Sequence, residues 1–237
     1  MLVCDDKMST VLSAHGPPDS LAWTGGPCLV HGGAPVVIVG NDLVEVDRRL
    51  RAGLLVCPCG AGCLAPWGHA RRRLVRGVGV VRPRRTRCSA CLVTHVLLAV
   101  SCLLRRADAV EVIGAALAAK AAGRGHRPIA ARLGRPVSTV RGWLRALAGN
   151  AERVRVVFTS LLGELDPLAG PLPVHGSVFA DAVEAIGATA AAARRRLGSV
   201  GAVSAWQLVS AVSGGRLLSP AGPGELINTS WPLGTSG

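Results

Sequence analysis

Apolar and polar positions alternate along this chain in two different rhythms, and the rhythm changes near residue 105. Pro35 to Gly40, PVVIVG, is a short continuous apolar run of strand length. Asn41 or Asp42 can cap a following helix that runs through Leu50, with Leu43, Val46 and Leu50 on one face and Gly53 ending it. Leu92 to Leu104 is strand-like at first and then apolar enough to be buried in either state. Beyond it the spacing becomes helical. Val110 to Ala122 predicts a helix with Ile113 and Leu117 inward, Arg105, Arg106 and Asp108 marking its start, and Gly123 and Gly125 closing it.

Arg127 to Ala146, RPIAARLGRPVSTVRGWLRA, reads as two helices in tandem. The first carries Ile129, Ala130 and Leu133, and Gly134 stands where the chain must turn sharply. The second starts near Val137 or Ser138, and Val140, Trp143 and Leu144 then fall at i, i+3 and i+4, one face to pack on the first helix. Thr139, Arg141, Gly142 and Arg145 are left facing outward, an arrangement that suits close approach to a DNA major groove. A plain helical hairpin with solvated arginines would show the same spacing. Ala148 to Leu165 continues the helical pattern through Val154, Val157, Phe158, Leu161 and Leu165.

Asp166 to Gly176, DPLAGPLPVHG, reads as a linker. Phe179, Val183, Ile186, Ala190, Ala193 and Leu197 then alternate by four and three, a seam for a partner helix that is either in the same chain or in a second copy. Ser204 can cap a short helix carrying Trp206, Leu208 and Val212, ended by Gly214 and Gly215. The expected division is a disordered leader (1–34), a strand-helix lead-in with a ribbon-like module (35–104), a three-helix unit with one following helix (105–165), a linker (166–176), a helical region (177–216) and an irregular tail (217–237). The fold class expected is mainly α with a small β zinc ribbon.

Charge sharpens this picture. The net charge is +13, and of 27 Lys and Arg only Lys7 and Lys120 are lysine. Abundant Ala, Gly, Arg, Val and Pro with no Tyr is the composition a GC-rich genome produces, so the positions of the arginines carry more than their number. Residues 71–106 hold ten arginines and residues 124–155 hold eight, with Glu152 the acidic residue inside those windows. Concentrated positive charge attracts a polyanion, first of all nucleic acid. The N-terminus, MLVCDDKMST, lacks the basic start and apolar core of a secretory signal, and the apolar run at Leu92–Leu104 is shorter than the roughly 20 residues of a membrane span. A cytoplasmic, nucleoid-associated protein is the expectation.

The cysteines change the picture again. Cys57, Cys59 and Cys63 precede a basic stretch that can form a hairpin, and Cys88 and Cys91 follow it. Two cysteine-bearing turns joined by a hairpin can offer four soft ligands to zinc. Cys88-x-x-Cys91 has the usual knuckle spacing, while Cys57-x-Cys59 is one residue short. The preferred ligands are Cys57, Cys59, Cys88 and Cys91, with Cys63 or His95 as substitutes; buried thiols without metal are the alternative. His69, which precedes three arginines, is expected on the basic surface or packed under the ribbon rather than on a metal.

The segments CPCG…LAPWGHARRR, RPRRTRCSACLVTHVLL, LRRADAVEVIGAALAAKAAG and GHRPIAARLGRPVSTVRGWLR together resemble a family of uncharacterised helix-turn-helix proteins of high-GC bacteria. That family is similar in layout to the N-terminal regions of insertion-sequence transposases, where a zinc ribbon precedes a helix-turn-helix. The resemblance spans about residues 35–230 and implies DNA binding. Candidate DNA contacts are Arg127, Arg135, Ser138, Thr139, Arg141, Gly142 and Arg145.

Catalysis finds no support in the residues. After the second helix of the pair the carboxylates are Glu152, Glu164, Asp166, Asp181, Glu184 and Glu225, none on a convincing strand. Asp181 and Glu184 sit near a helix N-terminus, where the dipole favours acidic side chains. No Walker-type loop or nucleophile set is present. The expected function is a non-enzymatic DNA-binding protein, a transcriptional regulator or a transposon-derived one. The alternatives are the DNA-end-binding part of a split transposase and a protein-interaction module whose basic face is incidental.

Overall fold

A computed structural model describes residues 36–197 and 203–219. The leader falls outside the described residues, as does the tail from residue 220 onward. The described chain is mixed α/β, with six strands and seven helices. Four strands form one sheet. They are β1 (Val36–Val39), β2 (Leu64–His69), β5 (Arg84–Cys88) and β6 (Thr94–Ala99), in the order β1-β6-β5-β2. Between β2 and β5 a two-stranded hairpin stands apart, β3 (Arg73–Val75) with β4 (Gly79–Val81).

The expectation of a mainly α chain with a small β module holds in part: the described chain is mixed α/β, and β1 joins the same sheet as the ribbon strands β2, β5 and β6. Val36–Val39 runs parallel to β6, in the register Val36↔Val96 to Val39↔Ala99. A buried strand must satisfy its backbone donors and acceptors, and β1 does so on the inner edge of the ribbon. Both faces of this parallel pair are covered, which is why β1 and the paired part of β6, residues 96–99, are continuously apolar rather than alternating. Val37, Val39 and Leu97 pack with Val46 and Leu50 of α1 (Leu43–Arg51) and with the ribbon's Leu64 and Cys88. Ile38 and Leu98 point the other way, onto Ala211 of α7 (Ala205–Val212). Asp42 caps α1, accepting from the Val44 and Glu45 N–H groups. Leu43, expected on the inner face of α1, is instead exposed.

The helices after residue 105 share one core. They are α2 (Val110–Ala121), α3 (His126–Leu133), α4 (Val137–Ala148), α5 (Ala151–Leu165) and α6 (Val178–Leu197), with α7 closing the set. Ile113, Leu117, Ile129, Val140, Trp143, Leu147, Val154 and Phe158 are all buried there. Gly134 ends α3 in the left-handed region, φ 60, and its N–H returns to Ala130 and Ala131. A side chain at that φ would be strained, so glycine sets the sharp turn into α4.

Part of the seam on α6 packs within the chain. Ile186, Ala190 and Ala193 are buried, and Thr189 Oγ1 lies 2.7 Å from the carbonyl oxygens of Phe158 and Ala185. The residues expected to begin an irregular tail are also part of the core. Leu217 and Leu218 are buried, the Leu218 carbonyl accepts from Arg106 at 2.6 Å, and the Ser219 carbonyl accepts from Asn150 at 3.0 Å.

Asp108 was expected to mark the start of α2. It instead joins three elements: Ala109 is the N-cap, without a side-chain cap bond, and the Asp108 carboxylate is 2 % exposed. Arg76, in the β3–β4 turn, reaches it at 2.9 and 2.8 Å, and Arg135, in the α3–α4 turn, at 2.5 Å. Burial opposes the charge on Asp108, and the two guanidinium groups outweigh it, holding the carboxyl below its usual range.

A carboxyl whose folded pKa is lowered contributes stability that is complete above its unfolded value, about 3.9, and lost as pH falls through the lower folded value. Asp108→Asn is expected to cost about 1–3 kcal/mol at neutral pH. Urea titrations of both proteins at neutral and acidic pH check this: the difference should shrink as pH drops below about 4. A difference independent of pH would disprove the role of the charge.

Candidate metal centre and basic helical face

Two turns meet at the open end of the ribbon. The first, Cys57 to Cys63, is closed by Cys57 N–H to Gly62 O at 2.8 Å and Gly60 N–H to Cys57 O at 2.9 Å. The second follows β5, and its Ala90 and Cys91 N–H groups lie 3.3 and 3.4 Å from Cys88 Sγ. Such donors stabilise a thiolate. Gly62 allows the two turns to touch: a Cβ there would stand 2.8 Å from Ala90 Cβ, Ala90 N and Ser89 Oγ. Leu92 takes the left-handed turn after the second pair, φ 60, and its carbonyl accepts from Arg87 Nε at 3.1 Å.

This meeting brings together Cys57, Cys59, Cys88 and Cys91, whose sulfur atoms all lie within 4.8 Å of one another. Cys57 and Cys91 sulfurs are 3.8 Å apart, and Cys59 and Cys88 sulfurs 3.7 Å. Four cysteines so placed could hold a metal ion. The short first spacing does not prevent this. Cys57 and Cys88 are buried, Cys59 and Cys91 partly so. Burial pushes the Cys57 thiol up, and it raises Cys91 to about 11. Burial also opposes ionisation of Cys59, but the Ala61 N–H and the neighbouring thiols outweigh it, lowering that group to about 7.

Neither substitute ligand belongs to the four. Cys63 fastens the turns through its main chain, donating to Ser89 Oγ at 3.2 Å and accepting from Ser89 N–H at 2.9 Å. His95 is fully buried behind the cluster, with Nε2 3.3 Å from Cys57 Sγ. Burial lowers its pKa, which favours the neutral ring. With the proton on Nε2, the imidazole donates to the Cys57 sulfur and orients it, a common arrangement behind metal ligands. Placing His95 there required the β5–β6 register, which pairs Thr86 with His95. His69, expected on the surface, is exposed.

The second candidate region is the outer side of α3 and α4. Val140, Trp143, Leu144 and Leu147 are buried, as the periodicity predicts. Arg127, Ser138, Arg141, Gly142 and Arg145 are exposed, and Thr139 is half-buried. Arg135 differs from the others: it is 19 % exposed and committed to Asp108. Across the described residues the carboxylates pair with Arg48, Arg51, Arg76, Arg84, Arg135, Arg155 and Arg195. None of those ion pairs involves Arg124, Arg127, Arg132, Arg141 or Arg145, so the α3–α4 face keeps its positive charge. On the ribbon, Arg87 stacks 4.9 Å over the exposed Trp67 ring. Among the described residues no helix is long and apolar enough to cross a membrane. Comparison of the chain with protein-family models, with curated proteins and with solved structures finds no match.

Proposed function

We propose that the chain is a non-enzymatic protein that binds double-stranded DNA through α3, the Gly134 turn and α4, acting as a helix-turn-helix whose second helix enters the major groove. The observation that carries this reading is the split of α4 into two faces. Val140, Trp143, Leu144 and Leu147 anchor it, while Ser138, Arg141, Gly142 and Arg145 stand exposed without carboxylate partners among the described residues. Gly142 leaves room for the helix to approach base edges, and Ser138 and Thr139 supply short donors and acceptors. Arg135 acts indirectly, holding the turn by its bond to Asp108. Transcriptional regulation or descent from a transposon would both use this surface, acting on DNA in the cytoplasm.

Zinc is the metal proposed for the four cysteines. Tetrahedral zinc with Zn–S of about 2.3 Å sets sulfurs about 3.8 Å apart, and two of the pairs here are 3.7 and 3.8 Å apart, with all four sulfurs within 4.8 Å. Bound there, zinc would cross-link the two turns as a structural ion. Cys57, Cys59, Cys88 and Cys91 would hold it, with His95 donating to the Cys57 sulfur.

Selection of bound duplexes from a random pool tests the reading. A short recurring sequence is expected, bound with an affinity that falls steeply with salt as counterions are released. Arg141→Ala with Arg145→Ala is expected to weaken binding to the selected duplex at least about tenfold, since each contact to a charged group contributes about 1.5–3 kcal/mol. Circular dichroism should be unchanged, because both side chains are exposed. Full retention of binding by the double variant would remove α4 from the DNA interface.

A further inference from the structure

Beside α4 lies a cleft of about 660 Å³ that the sequence pattern did not single out. Lys120 comes to it from the end of α2, His126 from the start of α3, Arg141 and Arg145 from α4, and His175 and Ser177 from the segment before α6. Cationic and imidazole side chains from three helices and a loop thus rim one concavity whose floor is largely apolar, with Leu144, Ala148, Phe179 and Ala180. Lys120, Arg141, Arg145 and His175 are exposed, and His126 is half-buried.

The acidic groups near this cleft are Asp181 and Glu184 of α6, and both serve the His175 segment. Asp181 accepts the His175 N–H at 2.7 Å, and Glu184 lies 3.5 Å from His175 Nε2. Lys120, Arg141 and Arg145 are left without a carboxylate among the described residues. A cleft rimmed by charges of one sign attracts an anion of the other. The start of α6, a helix of 20 residues, adds its positive end at the same wall.

We infer that this cleft is a phosphate-binding site, and that it seats the sugar-phosphate backbone of one DNA strand bordering the groove that α4 enters. The inference rests on the DNA-binding reading and assigns Lys120 and His126 to the interface. It also assigns Arg141 and Arg145 to phosphates, leaving Ser138, Thr139 and Gly142 to face the bases. Phosphate contacts position a protein without reading sequence. The cleft's cations therefore set affinity, not preference.

The test is fluorescence anisotropy with two labelled duplexes of equal length, the selected sequence and a scrambled one, across about 50–200 mM KCl. Lys120→Gln is expected to weaken binding to both duplexes by the same factor, about tenfold. It should make the slope of log affinity against log salt shallower by about one. Adding His126→Gln should weaken both further, and Lys120→Arg should restore wild-type behaviour. Lys120 is exposed, and an unchanged thermal midpoint would show the fold intact.

Unchanged affinity and slope in Lys120→Gln, with a wild type that binds steeply, would overturn the cleft and leave the DNA reading standing. A loss confined to the selected duplex would overturn the phosphate assignment. A wild type that binds neither duplex would overturn both readings.

Discussion

Replacing Cys88 and Cys91 together with serine is expected to take the bound metal from about one ion per chain to none and to unfold the end of the ribbon. The effect is expected to be large because little else holds that end. Its apolar core is Val37, Val39, Val46, Leu50, Leu64, Leu97 and the thiols Cys57 and Cys88 themselves. Structural zinc contributes on the order of 10 kcal/mol in small zinc-dependent domains, more than such a core supplies alone. Atomic absorption on the purified protein reads the stoichiometry, and limited proteolysis reads the ribbon. New cleavage should appear between residues 55 and 93, while the helical core from α2 to α7 stays protected. Cys63→Ser is the control and should keep its metal, since Cys63 is not one of the four clustered cysteines. His95→Ala should keep the ligands and weaken metal affinity about 10- to 100-fold. Full metal content in the double serine variant would refute the ligand set.

The second large effect is expected at Trp143. Its side chain is 3 % exposed at the centre of the core that α2, α3 and α4 share with α5 and α6. Trp143→Ala removes that volume from a packed interior and is expected to cost about 3–5 kcal/mol, lowering the thermal midpoint by on the order of 10 °C. Trp67→Ala is the comparison. Trp67 is 56 % exposed on the ribbon, and its loss should change stability by about 0.5 kcal/mol or less. Calorimetry on the two variants gives both values. Similar midpoints for the two would mean that Trp143 does not anchor α4.

Local pattern carried most of the helical half. Helical spacing of Ile113 and Leu117, of Val140, Trp143 and Leu144, and of Val154 and Phe158 gave the correct inner faces, because each helix turns about every 3.6 residues whatever lies around it. Gly134 was legible for the same reason: a sharp turn between two periodic segments needs positive φ. The strand at Val36–Val39 was legible as a strand but not as a partner of β6. Its partner lies about sixty residues on, and an apolar run does not name the strand that completes its hydrogen bonds.

The candidate metal centre divides in the same way. Cysteine spacing indicated which thiols could meet across a hairpin, since the ribbon returns the chain to its starting end. It also preferred Cys59 over Cys63 and His95, and the cluster has that set of four; what spacing left open was the role of Cys63 and His95, which a turn's closure and a strand's register decide. Gly62 and Asp108 were missed because their roles are long-range: one permits two turns to touch, and the other gathers arginines from two distant turns. The basic cleft was missed for the same reason, as Lys120, His126, Arg141 and His175 are close only after α2, α4 and α6 pack.

By itself, then, the sequence determined the helices of residues 110–165, the inward faces of α2, α3 and α4, the excess of positive charge around them and the cysteines able to reach one another; on α5 it pointed to Leu161, where Leu162 is the buried residue. These follow from backbone periodicity, turn chemistry and composition, which act over a few residues. Only the tertiary structure decided that β1 completes the ribbon's sheet, that part of the apolar seam of α6 packs within the chain, and which arginines are neutralised. Each of those depends on contacts between residues far apart in the chain, where burial and pairing are settled by the whole fold at once.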